Sequence, residues 1–69
     1  MDYTNSQIRD LIAEHIHNVD DRKMLQLRLI DGMTFEQIGF EVGMTTKTVR
    51  KRIHRQEEIL FKHLPLNDR

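Results

Sequence analysis

The sequence predicts a small all-α domain of four helices. Apolar residues recur at intervals of three and four, which is the spacing of one helix face, and no alternating strand pattern is present. Each apolar segment follows a good helix-capping residue, and three of the segments end at a glycine or a proline. With 69 residues, the chain is predicted to be one domain, residues 1–69, in which residues 1–4 and 65–69 are disordered.

The first helix has three candidate N-caps, Thr4, Asn5 and Ser6, and is expected to run to about Ile16. Its apolar residues fall on a single stripe and are Ile8, Leu11, Ile12 and Ile16. This helix is therefore expected to bury one face and expose the other.

The second helix can be capped by Asn18 or Asp20, and Asp31-Gly32 ends it. Asp20 and Asp21 lie at the positive end of its dipole, where a carboxylate is stabilising. Its apolar residues are Met24, Leu25, Leu27, Leu29 and Ile30. Since they are too many for one narrow stripe, we expect this helix to be central, in contact with both the first helix and the segment after it.

The third helix begins with a capping box, because Thr34 is followed three residues later by Gln37. The helix is therefore predicted to start at about Phe35. Ile38 and Val42 lie four residues apart on its inner face, a turn beyond Phe35.

Two glycines shape the end of this helix. Gly39 lies beside the inner residue Ile38, and since glycine costs roughly 1 kcal/mol in a helix, we expect it to permit a close approach of the next helix. Gly43 follows the last periodic residue, where a left-handed backbone ends a helix, and Met44 can then turn inward.

The fourth helix is capped by Thr45 and is predicted to span about residues 45–63, with Val49 and Ile53 on its inner face and Pro65 beyond its end. Between residues 42 and 56 there are five lysines or arginines and no acidic residue. A short helix, a tight turn and a longer basic helix form the layout of a helix-turn-helix, whose second helix enters a DNA groove.

The charge is polarised although the formal net charge is zero. Residues 1–41 carry 4 basic and 8 acidic side chains, a net −4, whereas residues 42–69 carry 7 basic and 3 acidic side chains, a net +4. We therefore expect a strong local field at one face and a modest, salt-sensitive affinity for non-specific DNA.

Other classes of protein fit the sequence poorly. There is no cysteine, no long apolar run and no signal-peptide pattern, so we expect a cytoplasmic protein without disulfides or membrane contact. The four histidines are not spaced to share a metal ion. No nucleophile has a nearby base and no phosphate-binding loop occurs, so we expect neither an enzyme nor a cofactor.

Several short segments resemble the helix-turn-helix of sigma factor region 4 and of its relatives among response regulators and phage regulators. They are Ile38-Gly39, Val42-Gly43-Met44, Thr48-Val49-Arg50 and Arg52-Ile53, preceded by an Arg-containing helix at 21–28 and the link at 32–34. The resemblance covers about residues 20–64. One departure is Gly39, where that family more often has alanine.

The resemblance implies a small sequence-specific transcriptional regulator, from a bacterium or its phage, that binds double-stranded DNA. The residues that match base-reading positions are Thr46, Lys47, Thr48 and Lys51. Those better placed for phosphates are Thr45, Arg50, Arg52 and Arg55, and His54 lies at the margin of this surface.

Two alternatives remain open. The chain could instead be an interaction module, in which the acidic half binds RNA polymerase or another regulator with little DNA contact. At the end of the fourth helix, Leu60 and Leu64 continue the core stripe whereas Ile59 and Phe61 point elsewhere. Ile59, Phe61 and Leu64 could form a homodimer contact, as in the response-regulator branch, or pack on the first helix.

Overall fold

The computed structural model describes residues 3–62. Within this range the chain forms four helices and no strand: α1 (Asn5–His15), α2 (Val19–Leu29), α3 (Phe35–Val42) and α4 (Thr46–Lys62). The predicted all-α fold with four helices is confirmed. The predicted end of the fourth helix at about residue 63, the stop at Pro65 and the disordered segment 65–69 lie outside the described residues.

The predicted caps are present. Thr4 caps α1 and Thr34 caps α3, each through a capping box completed by a glutamine three residues later, Gln7 or Gln37. In the second box, the Gln37 N–H donates to Thr34 Oγ1 at 3.1 Å and the Thr34 N–H donates to Gln37 Oε1 at 2.9 Å. Asn18 caps α2. Thr4, at the end of the segment 1–4, thus takes part in the cap of α1.

One hydrophobic core connects all four helices. Its buried side chains are Ile12, Ile16, Met24, Leu25, Ile38, Val49, Ile53 and Leu60. The central position predicted for α2 is confirmed, because α2 packs against each of the other three helices. Val49, Ile53 and Leu60 all lie on one side of α4, so burying them fixes which side of that helix faces outward.

The turn between α3 and α4 lies directly against α3. Gly43 has the left-handed backbone expected at this position, with φ of 74°, and the N–H groups of Gly43 and Met44 both donate to the Gly39 carbonyl. A Cβ atom added at Gly39 would lie 2.6 Å from the Met44 carbonyl oxygen. The close approach predicted at Gly39 is therefore confirmed, but the neighbouring backbone belongs to the turn.

Replacing Ile38 by alanine tests the core. Ile38 is completely buried at the centre of the helix-turn-helix, so Ile38→Ala should lower the free energy of unfolding by about 2 to 4 kcal/mol. Chemical denaturation followed by circular dichroism measures this loss. Gln37→Ala on the same helix is the matched control and should have a small effect, and equal stability of the two variants would contradict the proposed core.

Replacing Gly39 by alanine tests the contact with the turn. In an unconstrained helix Gly→Ala is stabilising by about 1 kcal/mol. Here the added methyl group would meet the backbone oxygen of Met44, and such overpacking costs about 1 to 3 kcal/mol. Gly39→Ala should therefore lower the melting temperature, whereas Glu41→Ala, an exposed change on the same helix, should leave it nearly unchanged. A raised melting temperature for Gly39→Ala would contradict this reading.

Candidate nucleic-acid interface

The start of α4 is fixed by Thr45. Its Oγ1 atom accepts a hydrogen bond from the Thr48 N–H at 3.2 Å, and its carbonyl accepts from the Val49 N–H at 3.0 Å. The Thr45 hydroxyl also donates to Thr48 Oγ1 at 2.9 Å. Thr45 therefore acts as the predicted N-cap, and its hydroxyl is already engaged within the helix-turn-helix.

The outer face of α4 is strongly cationic. Lys47, Lys51 and Arg55 recur every four residues on the side opposite the buried stripe, and all three are exposed. Arg50 is exposed on one flank, next to His54 one turn later. In the described part of the chain, none of these four lysines and arginines forms an ion pair with a carboxylate. Their positive charge is thus presented to solvent over about two and a half turns.

The two threonines after the cap differ in exposure. Thr48 is exposed on the cationic side of α4, whereas Thr46 is half-buried beside the turn. Both lie in the first turn of α4, where backbone N–H groups point away from the helix and favour anions. All four residues expected to read bases lie within the first two turns of α4, but Lys47, Thr48 and Lys51 are exposed whereas Thr46 is half-buried beside the turn.

Arg52 lies in a different environment from the other basic residues of α4. One of its guanidinium nitrogens lies 3.0 Å from Asp21 Oδ1, and the Arg52 and Asp21 side chains are 32% and 7% exposed. The same nitrogen, Nη2, approaches Asn18 Oδ1 at 3.4 Å, and Nη1 donates to the Met44 sulfur at 3.6 Å. Arg52 thus connects α4 to the start of α2 and to the turn.

An aromatic contact lies on the other flank of α4. The His54 ring meets the Phe35 ring edge-on, with centroids 5.7 Å apart. The Arg28 guanidinium lies 4.3 Å from the centroid of the Phe35 ring and donates a hydrogen bond to the Met33 carbonyl at 2.9 Å. His54 is therefore positioned by the end of α2 and the start of α3, although its side chain remains exposed.

Some of these features were not predicted from the sequence. The sequence indicates for Asp21 only a stabilising position at the dipole of α2, and its pairing with Arg52 joins residues far apart in the chain. The Arg28, Phe35 and His54 contact likewise has no local sequence signal. Phe40 was not singled out, yet it projects from α3 with 89% of its surface exposed.

The residues of the predicted dimer contact lie at the end of α4, partly within the described range. Ile59 and Phe61 are 37% and 43% exposed near the end of α4, and Leu64 lies outside the described residues. Over residues 3–62, no group of three metal-ligating side chains is close enough to hold an ion. No described helix combines the length and the apolar character needed to cross a membrane.

Comparison with known proteins identifies the family. The family model described as sigma-70, region 4 matches residues 18–56, which is more than half of the chain and includes α2, the helix-turn-helix and the cationic part of α4. The comparisons with curated proteins and with solved structures each gave no match. The chain therefore belongs to the sigma-70 region 4 family and is a DNA-binding helix-turn-helix domain of the kind used in transcription.

Proposed function

We propose that this chain is a transcriptional regulator that recognises a specific sequence in double-stranded DNA by placing α4 in the major groove. The observation that carries the proposal is the cationic outer face of α4, where four exposed lysines and arginines lack carboxylate partners in the described structure. The buried stripe on the opposite side of α4 supports this orientation. Residues 1–69 would act as one domain.

The proposed roles of the side chains follow from their positions around α4. Thr46, Lys47, Thr48 and Lys51 would face base edges, since they lie on the first two turns of the helix that enters the groove. Arg50 lies on one flank of α4 and Arg55 on its outer face, so the two point in different directions, which suits contacts to the two phosphate backbones that border the groove. Thr45 would contribute through the N-terminus that it caps, and His54 would lie at the edge of the interface.

Selection from a randomised pool of DNA duplexes tests this function directly. Enrichment of one sequence over successive rounds is the expected result. Contact with RNA polymerase is a second candidate, because this family supports both kinds of interaction and the N-terminal half of the chain is acidic. If no duplex is enriched at low salt while RNA polymerase is retained on a column of the protein, the chain acts through polymerase.

Alanine variants should separate base reading from phosphate contact. Arg50→Ala and Arg55→Ala should weaken binding to all duplexes and should each flatten the salt slope, d log K / d log[salt], by about 0.9. Lys47→Ala should cost roughly 1 to 3 kcal/mol on the selected site and little on random DNA, because lysine can bind guanine O6 and N7 in the major groove. Fluorescence anisotropy with both duplexes measures these effects.

Lys62→Ala is the matched control for these variants. It removes the same charge from the same helix, but two turns beyond Arg55, so discrimination between selected and random duplexes should be unchanged. If Lys47→Ala, Thr46→Ala and Arg50→Ala instead lower binding to both duplexes by one common factor, α4 is a non-specific basic helix. That result would remove sequence recognition from the proposed function.

A homodimer through Ile59, Phe61 and Leu64 is a further part of the proposal, supported by the partial exposure of Ile59 and Phe61. Sedimentation at increasing protein concentration should then show association. Phe61→Glu should give a folded monomer, because a buried carboxylate without a partner is strongly unfavourable in an interface. A wild-type chain that stays monomeric at high concentration would contradict the dimer.

A further inference from the structure

We propose that Asp21 withholds Arg52 from DNA, so that Arg52 orients α4 and does not neutralise a phosphate. This inference rests on the proposed DNA-binding role of α4 and refines it. The family resemblance implies that Arg52 contacts a phosphate. The structure separates it from the other basic residues of the same helix.

The contacts of Arg52 distinguish it from its neighbours. Between residues 46 and 55, Arg52 is the only lysine or arginine with a carboxylate partner in the described structure, at 3.0 Å from Asp21 Oδ1. Two thirds of its side chain is covered. The guanidinium also approaches Asn18 and the Met44 sulfur, so it is held from three directions.

Asp21 is the reason that Arg52 should stay in place when DNA binds. Asp21 is the one buried charged residue in the described part of the chain, and no other side chain pairs with its Oδ1 atom. If Arg52 turned outward to a phosphate, a buried carboxylate would lose its counter-charge, and an unpaired buried charge is strongly unfavourable. A phosphate at the protein surface offers Arg52 a weaker, solvent-screened attraction in exchange.

The Asp21–Arg52 pair also lies where three elements of the fold meet. The Asn18 Oδ1 atom that approaches Arg52 is the same atom that caps α2 by accepting from the Asp21 N–H at 3.0 Å. The start of α2, the turn and the middle of α4 therefore meet at one point. Arg52 can fix the rotation of α4 about its own axis only while it remains paired with Asp21.

The salt dependence of DNA binding distinguishes this arrangement from a phosphate contact. Each phosphate neutralised by a cation adds about 0.9 to the magnitude of the salt slope. Arg52→Gln should therefore leave the slope at its wild-type value, whereas Arg50→Gln should flatten it by about 0.9. Asp21→Asn removes the competing carboxylate and frees Arg52, so this variant should steepen the slope by about 0.9 on random duplex DNA.

The experiment measures anisotropy of a labelled random duplex against salt for the wild type, Arg50→Gln, Arg52→Gln, Asp21→Asn and the double variant Asp21→Asn/Arg52→Gln, each checked for helicity by circular dichroism. Arg52→Gln alone leaves Asp21 unpaired and lowers the folded fraction. The double variant removes both charges, so it tests whether Arg52 contacts a phosphate without leaving a buried charge unpaired. Its slope should equal that of the wild type. If the pair only supports the fold, and Arg52 cannot reach a phosphate even when it is unpaired, the salt slope of Asp21→Asn would equal that of the wild type.

The outcomes separate the inference from the function on which it rests. If the wild type binds DNA and the Arg52→Gln or double variant flattens the slope as Arg50→Gln does, Arg52 contacts a phosphate and the inference is wrong. An unchanged slope for Asp21→Asn also overturns it. If the wild type fails to bind any duplex at low salt, the proposed function fails and the inference falls with it.

Discussion

Burial of the narrow apolar stripe of α4 is the constraint on which the rest of the structure depends. The stripe consists of Val49, Ile53 and Leu60, and one rotation of α4 buries all three against the other helices. Any other rotation would expose an aliphatic side chain and bury lysine or arginine, which is unfavourable. The same packing that completes a small core therefore also directs the cationic side of α4 to solvent.

A stripe of three residues leaves some freedom of rotation, and an ion pair and an aromatic contact on the flanks of α4 restrict it further. Arg52 meets Asp21 near the start of α2, whereas His54 meets Phe35, which is itself covered by Arg28 near the end of α2. α2 thus positions α4 at two points, once directly and once through α3. One charged residue from each end of α2, Asp21 or Arg28, takes part in these contacts.

The sequence predicted those parts of the fold that depend on residues close together in the chain. Capping boxes join residues three apart, and the left-handed conformation at the end of α3 depends on the glycine itself, so both features are predictable from the local sequence. The sequence indicates that the backbone at Gly39 is closely approached, but it does not indicate that Met44 is the neighbour, since the position of the turn depends on how α3 and α4 pack. Asp21 and Arg52 meet only because the whole core is formed, so no spacing rule could pair them. The proposed base and phosphate contacts follow from family resemblance. The structure adds that most of them are exposed, whereas Thr46 is half-buried and Arg52 is mostly covered.

The paired arginine also bears on how a neutral chain could recognise DNA selectively. Non-specific affinity rises with every cation that can reach a phosphate, whereas discrimination between sequences depends on how accurately the base-reading side chains are placed. A carboxylate that pairs with one arginine within the protein would reduce non-specific affinity. It would also improve discrimination between sequences, because the arginine then fixes the helix that carries the base-reading residues. The net +4 of residues 42–69 therefore overstates the charge available to DNA, since part of it is neutralised by the acidic half of the same chain. The opposite charges of the two halves thus have a structural role where Asp21 meets Arg52. The remaining exposed cations on α4 would form the surface that contacts the duplex.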